Sequence, residues 1–416
     1  MKENEYKTQV QQIRRLNKVE YLLLRKLCFH AARMYNYGLY FVRQKYFQTQ
    51  EFLRYESLYH ICKTNENYKI LPAVIAQQTL IEMSGSFSSA LSLLEKKKQG
   101  HYDKRVNLPR YLDKEGFYTL TIPSNGFQIN GNKIHIGLSR LLQREQPIRQ
   151  LELKFPPHIE ANKVVEIRIV PQHKAHYFLL EIVYKVETND AKAVDNILSI
   201  DVGLENLLTC FDSNSNRTFI ISGRKIKAIN HYWNKRNARL QSIKDKQKIP
   251  YQTRQQFLLG RTRNNRIKDY LRKASYYIVC YCLENNIGKI VVGNNCGWKQ
   301  SINLGKRNNQ NFVQVPFHHL LQYMQSKCYE FGILYQEIEE SHTSKCSFLD
   351  IESIQHHENY IGKRIHRGLF ETGTGILLNA DVNASANIYR KVSGDYLLSS
   401  DRVRGFVANP VRISLV

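Results

Sequence analysis

The stretch Leu198-Ser-Ile-Asp-Val-Gly-Leu-Glu-Asn-Leu-Leu208 decides the reading of this chain. Apolar residues lead into a single aspartate, Asp201. Gly203 follows at a spot where a bulky side chain would crowd an approaching ligand, and apolar residues resume at Leu207. The pattern predicts a buried strand with one carboxylate on it. Withdrawing a charged carboxylate from water costs several kcal/mol unless a positive partner sits on it. An arginine or a divalent metal would serve, and the metal needs further acids from elsewhere in the chain.

Downstream, Arg217 to Ser222 alternates and would pair with the Asp201 strand as a hairpin. From Arg224 to Lys273 the chain is strongly basic, opposed only by Asp245 and Asp269, with Tyr232, Trp233, Tyr251, Phe257 and Tyr270 interleaved. A charge run alone is usually a solvated helix face. Aromatic rings among the cations point instead to phosphate binding, through Lys225, Lys227, Trp233, Lys235, Arg236, Arg239, Arg261, Arg263 and Arg266. Residues 270–285 read as helix and Lys289 to Val292 as a short buried strand. Its exit, Gly293-Asn-Asn295, leads into a basic loop with Trp298, Lys299, Lys306 and Arg307. A helix over 316–331 stops at Gly332, and a strand from Ile333 to Ile338 runs into Glu339-Glu340. Asn379 to Ile388 places small residues at helical spacing around Asp381.

A strand, a hairpin return, a helix, a buried strand, a helix, a strand and a closing helix make an RNase H-like order. In open sheets with parallel strands, chemistry collects at the carboxyl ends of the strands. Asp201, Glu340 and Asp381 can meet there. Two Mg²⁺ ions about 3.5–4 Å apart need several carboxylate oxygens converging in this way.

Upstream, Leu23, Leu27, Met34 and Phe41 mark one face of a helix over roughly 18–48, and a second helical region covers 73–97. After Gly100 the period changes to short alternating runs, including Phe117 to Ile122, Lys133 to Gly137, Leu151 to Phe155, Val164 to Pro171 and Tyr177 to Val186. They predict an antiparallel β-barrel or sandwich, to which Tyr6 to Ile13 could add a strand.

Composition agrees with a nucleic-acid protein. The chain has 416 residues, 42% of them hydrophobic, and a formal charge of +25, which calls for a polyanionic partner. The longest apolar run, Tyr276 to Leu283, is far short of the roughly 20 residues a membrane span needs. The N-terminus lacks a signal-peptide pattern, and eight scattered cysteines show no Cys-x-x-Cys pair, so the sequence predicts reduced thiols and a cytoplasmic protein, nucleoid-associated if bacterial.

The residues resemble the TnpB-like proteins of insertion sequences, the OrfB "transposases", relatives of type V CRISPR effectors and of the eukaryotic Fanzor proteins. The matching pieces, in the family's order, are Ser199-Ile-Asp-Val-Gly203, Asn295-Cys-Gly-Trp-Lys-Gln300, Asn308 to Phe312 with Pro316-Phe317, Glu339 to Lys345, Gly362-Lys-Arg364 with Arg367-Gly368, and Asp381-Val-Asn-Ala384. Leu108-Pro-Arg-Tyr111 looks like the family's junction between helical and barrel parts.

The resemblance implies an RNA-guided DNA endonuclease with a RuvC-type site holding two Mg²⁺ or Mn²⁺ ions. Its partners would be a guide RNA from the element's end and a double-stranded DNA target with an adjacent motif. It implies a wedge-type β-barrel from 1–16 and 101–195, helical recognition over 17–100, a RuvC-like nuclease domain over 196–395 and a tail over 396–416. Lys363, Arg364 and Arg367 would join the nucleic-acid surface. Two departures matter. The family's usual second glutamate follows the strand ending at Val292, where this chain has Gly293. A Fanzor-like subgroup carries the glutamate just before Thr-Ser-Lys, which assigns catalysis and metal binding to Asp201, Glu340 and Asp381, with Glu339 as the alternative to Glu340. The family's zinc-binding Cys-x-x-Cys pairs are missing: Cys346 stands alone beside His356, His357 and His366, so the insert at 341–375 is predicted to hold no structural zinc. Two further readings stay open, a guided DNA-binding regulator that no longer cleaves and a strand-transfer transposase.

Overall fold

A computed structural model describes residues 4–145, 148–187, 195–294, 315–366, 368–394 and 409–415. The chain divides into two units, Met1–Glu187 and Thr188–Val416. The first contains β1 (Asn4–Gln12), α1 (Lys18–Thr49), α2 (Tyr55–Cys62), α3 (Glu66–Ile70), α4 (Ala73–Lys98), β2 (Leu120–Pro123), β3 (Gln128–Asn130), β4 (Lys133–Gly137), α5 (Arg140–Glu145), β5 (Gln150–Lys154), β6 (Val164–Gln172) and β7 (Tyr177–Glu187).

Helix α1 begins at a reciprocal cap. The Glu20 amide donates to Asn17 Oδ1 and the Asn17 amide to Glu20 Oε2, each at 2.9 Å. Its stripe of Leu23, Leu27 and Met34 is buried, with Phe41 half-buried at the edge. One antiparallel sheet has the order β1-β7-β6-β2, and a smaller one β3-β4-β5. The first strand of the chain thus pairs with one ending at residue 187, Tyr6 opposite Lys185. Helix residues Leu23 and Leu27 share one apolar core with Leu120, Ile167, Phe178 and Ile182 of the sheet.

The second unit contains β8 (Ile197–Val202), β9 (Asn206–Asp212), β10 (Thr218–Ser222), α6 (Arg224–Lys246), α7 (Arg254–Glu284), β11 (Lys289–Gly293), α8 (Phe317–Phe331), β12 (Leu334–Ile338), β13 (Lys363–His366), β14 (Leu369–Glu371), β15 (Leu377–Asn379), α9 (Ala380–Ser393) and β16 (Val411–Ile413). Its six-stranded sheet has the order β12-β11-β8-β9-β10-β16. Strands β8, β9 and β10 form an antiparallel meander, and β11 and β12 run parallel to β8, the RNase H-like arrangement.

Two expectations are corrected here. The stretch from Leu198 to Leu208 is two strands around a tight turn, so Thr218–Ser222 pairs with β9 and not with the Asp201 strand. Gly203 serves that turn: a Cβ on it would lie 2.6 Å from the Asn206 carbonyl oxygen, so its own backbone, not an approaching ligand, excludes a side chain.

Strand alternation sorts the sheet's two faces. Leu198, Ile200, Ile290 and Val292 pack with Ile278 of α7 and with Leu320 and Met324 of α8. Ile197, Phe211, Ile220 and Val291 pack with Val382, Ala386 and Ile388 of α9. Ser199 shares this second face, its hydroxyl donating to the Ser385 carbonyl at 2.7 Å. By the same alternation Asp201 and Gly293 lie on the α9 side. The last ladder pair of β11 and β8 is Val292 opposite Ile200, so one further step sets Gly293 beside Asp201.

Candidate functional site

Asp201 lies at the C-terminal end of β8 and keeps partial solvent access. Protein packed around it, then the charges of Asp381 and Glu340, hold its carboxyl well above the usual carboxylate range, with Arg364 opposing. Among the described residues no donor hydrogen-bonds this carboxylate. Its cross-strand neighbour Thr209 is fully buried, and the Thr209 hydroxyl also lacks a hydrogen-bond partner.

Asp381 arrives on the first turn of α9. Asn379 caps that helix by accepting from the amides of Asp381 (3.0 Å) and Val382 (3.3 Å). Asp381 Oδ2 accepts from Asn206 Nδ2 at 2.7 Å, and Asn206 Oδ1 accepts from Arg412 at 2.9 Å. Arg364 Nη2 stands 4.0 Å from Asp381 Oδ1. Nothing in the residue pattern singles out Asn206 or Arg412, because their part depends on pairing distant strands.

Glu340 lies two residues past β12 and is half-buried, and that burial raises its carboxyl while Lys391 opposes the shift. A Cβ built on Gly293 would stand 3.1 Å from Glu340 Oε2 and 3.2 Å from its Cβ. The room a side chain at 293 would need is therefore taken by Ile388, whose Cδ1 would stand 2.5 Å from that Cβ, and by Glu340. Lys391 Nζ donates to the carbonyls of Glu339 (2.9 Å) and Ser341 (2.8 Å), clamping the backbone on both sides of Glu340. Glu339 is exposed and accepts from the Ser341 hydroxyl. Two adjacent acids thus take different surroundings, both beyond the end of β12. The His342 ring lies against His356, 6.0 Å between centroids. Among the described residues no three His, Cys, Asp or Glu side chains are already drawn to metal-ligand distance.

The insert before α9 is held by polar side chains. Glu352, 3% exposed, accepts from the amides of Ser347 (2.6 Å) and Ile361 (2.8 Å). Asp350 accepts from the Ser347 hydroxyl (2.5 Å) and the Gly373 amide (2.6 Å). From α9, Asn383 takes the Phe348 amide and gives to the Cys346 carbonyl, Asn387 gives to the carbonyls of Thr343 and Cys346, and Arg390 gives to that of Glu352. Cys346 is a buried thiol, and burial raises its pKa, the opposite of what a zinc thiolate needs. A lone thiol in this position does not fit a tetrahedral zinc site.

Of the basic residues predicted to bind nucleic acid, Lys225, Lys235, Arg236, Arg239 and Arg266 are exposed on α6 and α7, while Lys227, Trp233, Arg261 and Arg263 are half-buried. Lys227 leans toward Glu205 at 3.4 Å. Lys363 and Arg364 are exposed on β13, away from the helical pair in sequence. Trp298, Lys299, Lys306, Arg307 and Arg367 lie outside the described residues.

Comparison with known proteins gives two family matches. A profile described as "Probable transposase" matches residues 181–299, and one described as "Cas12f1-like, TNB domain" matches 317–388. The first match contains Asp201 and Gly293, the second Glu340 and Asp381. "TnpB-like protein ORF457" of Acidianus two-tailed virus is 22% identical over 428 residues, covering 94% of this chain and 88% of the relative. "Putative transposase A625R" of Paramecium bursaria Chlorella virus 1 is 24% identical over 326 residues, covering 77% and 69%. Among solved structures, a Cas12f1–sgRNA–target DNA complex matches with TM-score 0.61 at 17% identity, over 90% of this chain and 83% of that one. The mini-RNA-guided endonuclease CRISPR-Cas_phi3 matches with TM-score 0.55 at 10% identity, over 95% and 93%. At these identities the structural likeness speaks for the fold.

Proposed function

This chain is a TnpB-like protein, and on that footing we propose that it is an RNA-guided DNA endonuclease associated with a transposable element, with Asp201, Glu340 and Asp381 as its metal-holding acids. The observation that carries the reading is the state of Asp201. Burial, then the charges of two acids from distant parts of the chain, raise its proton affinity; Arg364 opposes them only in part, and among the described residues no donor hydrogen-bonds the carboxylate. A cation would relieve it.

The donor set fits magnesium or manganese: it is all oxygen and rich in carboxylate, with the unpartnered Thr209 hydroxyl beside it. Bound there, the metal would supply neutralisation of charge at the scissile phosphate and a water of lowered pKa. The chain's own residues set the positions. Asn206 turns one oxygen of Asp381 away from the site and leaves the other toward Arg364. Lys391 fixes the backbone that aims Glu340. Arg364, exposed and close to Asp381, offers a cation to an entering phosphate.

Within this reading, 1–16 with 101–195 form the wedge, 17–100 the recognition helices, 196–395 the nuclease with its zinc-less insert at 341–375, and 396–416 a tail. Guide and target strands read each other by base pairing, and the cations of α6 and α7 hold backbones. The test is to co-purify the protein with RNA from the element's end and offer matched DNA. Cleavage should require Mg²⁺ or Mn²⁺ and fall at least ~10³-fold in Asp201→Ala, since several kcal/mol of charge stabilisation are removed. No metal-dependent cut, or equal cutting by Asp201→Ala, would overturn the proposal. Gly293, standing where relatives carry glutamate, favours a second reading, a guided binder without cleavage. Target binding by an unmutated protein that never cuts would select it. The transposase description of the 181–299 match favours strand transfer, which joining activity without RNA would select.

A further inference from the structure

Helices α6 and α7 lean together around a cavity of about 240 Å³ lined by Lys225, Tyr232, Trp233, Leu259, Arg263 and Arg266. It is smaller than the roughly 300–1,000 Å³ of sites for drug-sized ligands, a size suited to a single planar ring system. A more open hollow of about 480 Å³, bordered by Arg236 and Arg266, continues from it and shares Tyr232 and Leu259.

The cavity is built for a ligand in two respects. The Trp233 indole N–H is buried without a hydrogen-bond partner among the described residues, although a buried indole donor normally finds one. Beside it, Gly260 interrupts α7 in mid-helix, where glycine costs about 1 kcal/mol relative to alanine. A Cβ at Gly260 would stand 3.8 Å from the indole nitrogen, in ordinary van der Waals contact, so the glycine leaves the room of one methyl beside that buried nitrogen. Arg263 closes one wall, its guanidinium 5.3 Å from the Trp233 ring centroid and its Nε held by Asn230 Oδ1 at 2.8 Å. Tyr232 is 57% exposed at the rim.

We propose that this cavity takes one unstacked nucleobase of a single-stranded nucleic acid, its face on Tyr232 at the rim, an acceptor on its edge toward the Trp233 indole N–H, and flanking phosphates on Arg236 and Arg266. Aromatic faces beside clustered cations are how sequence-tolerant single-strand sites are made. A phosphate alone would satisfy the donor and the charge, but would leave the apolar wall of Leu259 and the rings uncovered. The proposal rests on the nucleic-acid-binding reading and is independent of cleavage.

The test uses full-length protein freed of bound RNA by high salt and kept in chelator, with tryptophan fluorescence compared between the unmutated protein and Trp233→Ala so that the difference reports Trp233. Short RNA, DNA and abasic DNA oligonucleotides of equal length are titrated against Trp233 fluorescence. Ordinary oligonucleotides should quench it, and their affinity, read from the anisotropy of an end-labelled oligonucleotide, should fall roughly fivefold to a hundredfold on Trp233→Ala. Abasic DNA should bind through its phosphates without quenching. Gly260→Ala, which favours the helix, should weaken ordinary oligonucleotides at least threefold and leave abasic DNA unchanged. Quenching by RNA only or by DNA only would identify the strand that supplies the base. Equal quenching by abasic DNA would make this a phosphate site, and no quenching by any oligonucleotide, or indifference to Gly260→Ala, would remove the proposal. Because every arm is metal-free, a protein unable to cleave would still pass.

Discussion

The face of the six-stranded sheet under α7 and α8 is dry: Leu198, Ile200, Ile290 and Val292 meet Ile278, Leu320 and Met324. The α9 side mixes apolar contacts and the Ser199–Ser385 hydrogen bond to the sheet with buried Asn383, Asn387 and Arg390 turned to the insert, and it ends at Asp201. Both exclude water, but they differ in how strictly they fix position. Apolar packing is non-directional and tolerates exchange of one hydrocarbon for another of similar volume. A hydrogen bond has a direction and a narrow distance range. Asp381 rides on α9 and Glu340 is clamped by Lys391 of the same helix, so the polar face sets the three acids in place while the dry face supplies stability.

The sharpest way to break this contrast is to injure each face equally. Ile278→Ala should cost about 2–5 kcal/mol as a cavity in the dry core. Glu352→Ala should cost about 2–4 kcal/mol, because it orphans the amides of Ser347 and Ile361. In denaturant unfolding the two should look alike. Assayed where both remain folded, Ile278→Ala should keep its cleavage rate and Glu352→Ala should lose it, and a zinc-selective chelator with Mg²⁺ in excess should leave unfolding of the unmutated protein unchanged. Equal rates would show that the polar staples only stabilise.

A smaller injury sharpens the same point. Gly293→Ala places a methyl 2.5 Å from Ile388 Cδ1 and 3.1 Å from Glu340 Oε2. Overpacking of this kind costs about 1–3 kcal/mol. Cleavage should fall about tenfold or more, because the carboxylate is moved, while guide-dependent binding measured by filter retention stays within twofold.

The smallest effect is a gain. Without metal, folded Asp201 holds its proton more tightly than the unfolded chain does, so the native state binds more protons. Stability is then fullest below the usual aspartate range near 4 and declines as pH rises through the elevated value of Asp201. Asp201→Asn should remove that decline and raise stability at neutral pH by about 0.5–2 kcal/mol while abolishing cleavage. A metal-free protein whose unfolding is insensitive to pH at Asp201 would deny the crowding of acids.

Much of the RNase H-like fold was legible because its strands are short apolar runs and its helices carry periodic stripes. The chain order of Asp201, Glu339-Glu340 and Asp381 was legible for the same reason. What sequence could not supply was pairing. The turn at Gly203 splits what reads as one strand, so the hairpin partner of Asp201 was misassigned from Thr218–Ser222, and Asn206 and Arg412 escaped notice because only strand neighbours bring them to Asp381. The capping box of Thr253 and Gln256 that starts α7 was present in the sequence, where the charge run hid it. Residues 341–375 read as a zinc insert without its cysteines. Their support by Asp350 and Glu352 was illegible, since acids that accept backbone amides look like any others until the chain folds around them.

The most direct test of the whole account sets Glu340 against its neighbour. With co-purified RNA, matched target DNA and Mg²⁺, Glu340→Gln should cut at least ~10³-fold more slowly, while Glu339→Gln stays within about threefold, as a side chain exposed to water should. Full activity in Glu340→Gln, or the larger loss in Glu339→Gln, would contradict it.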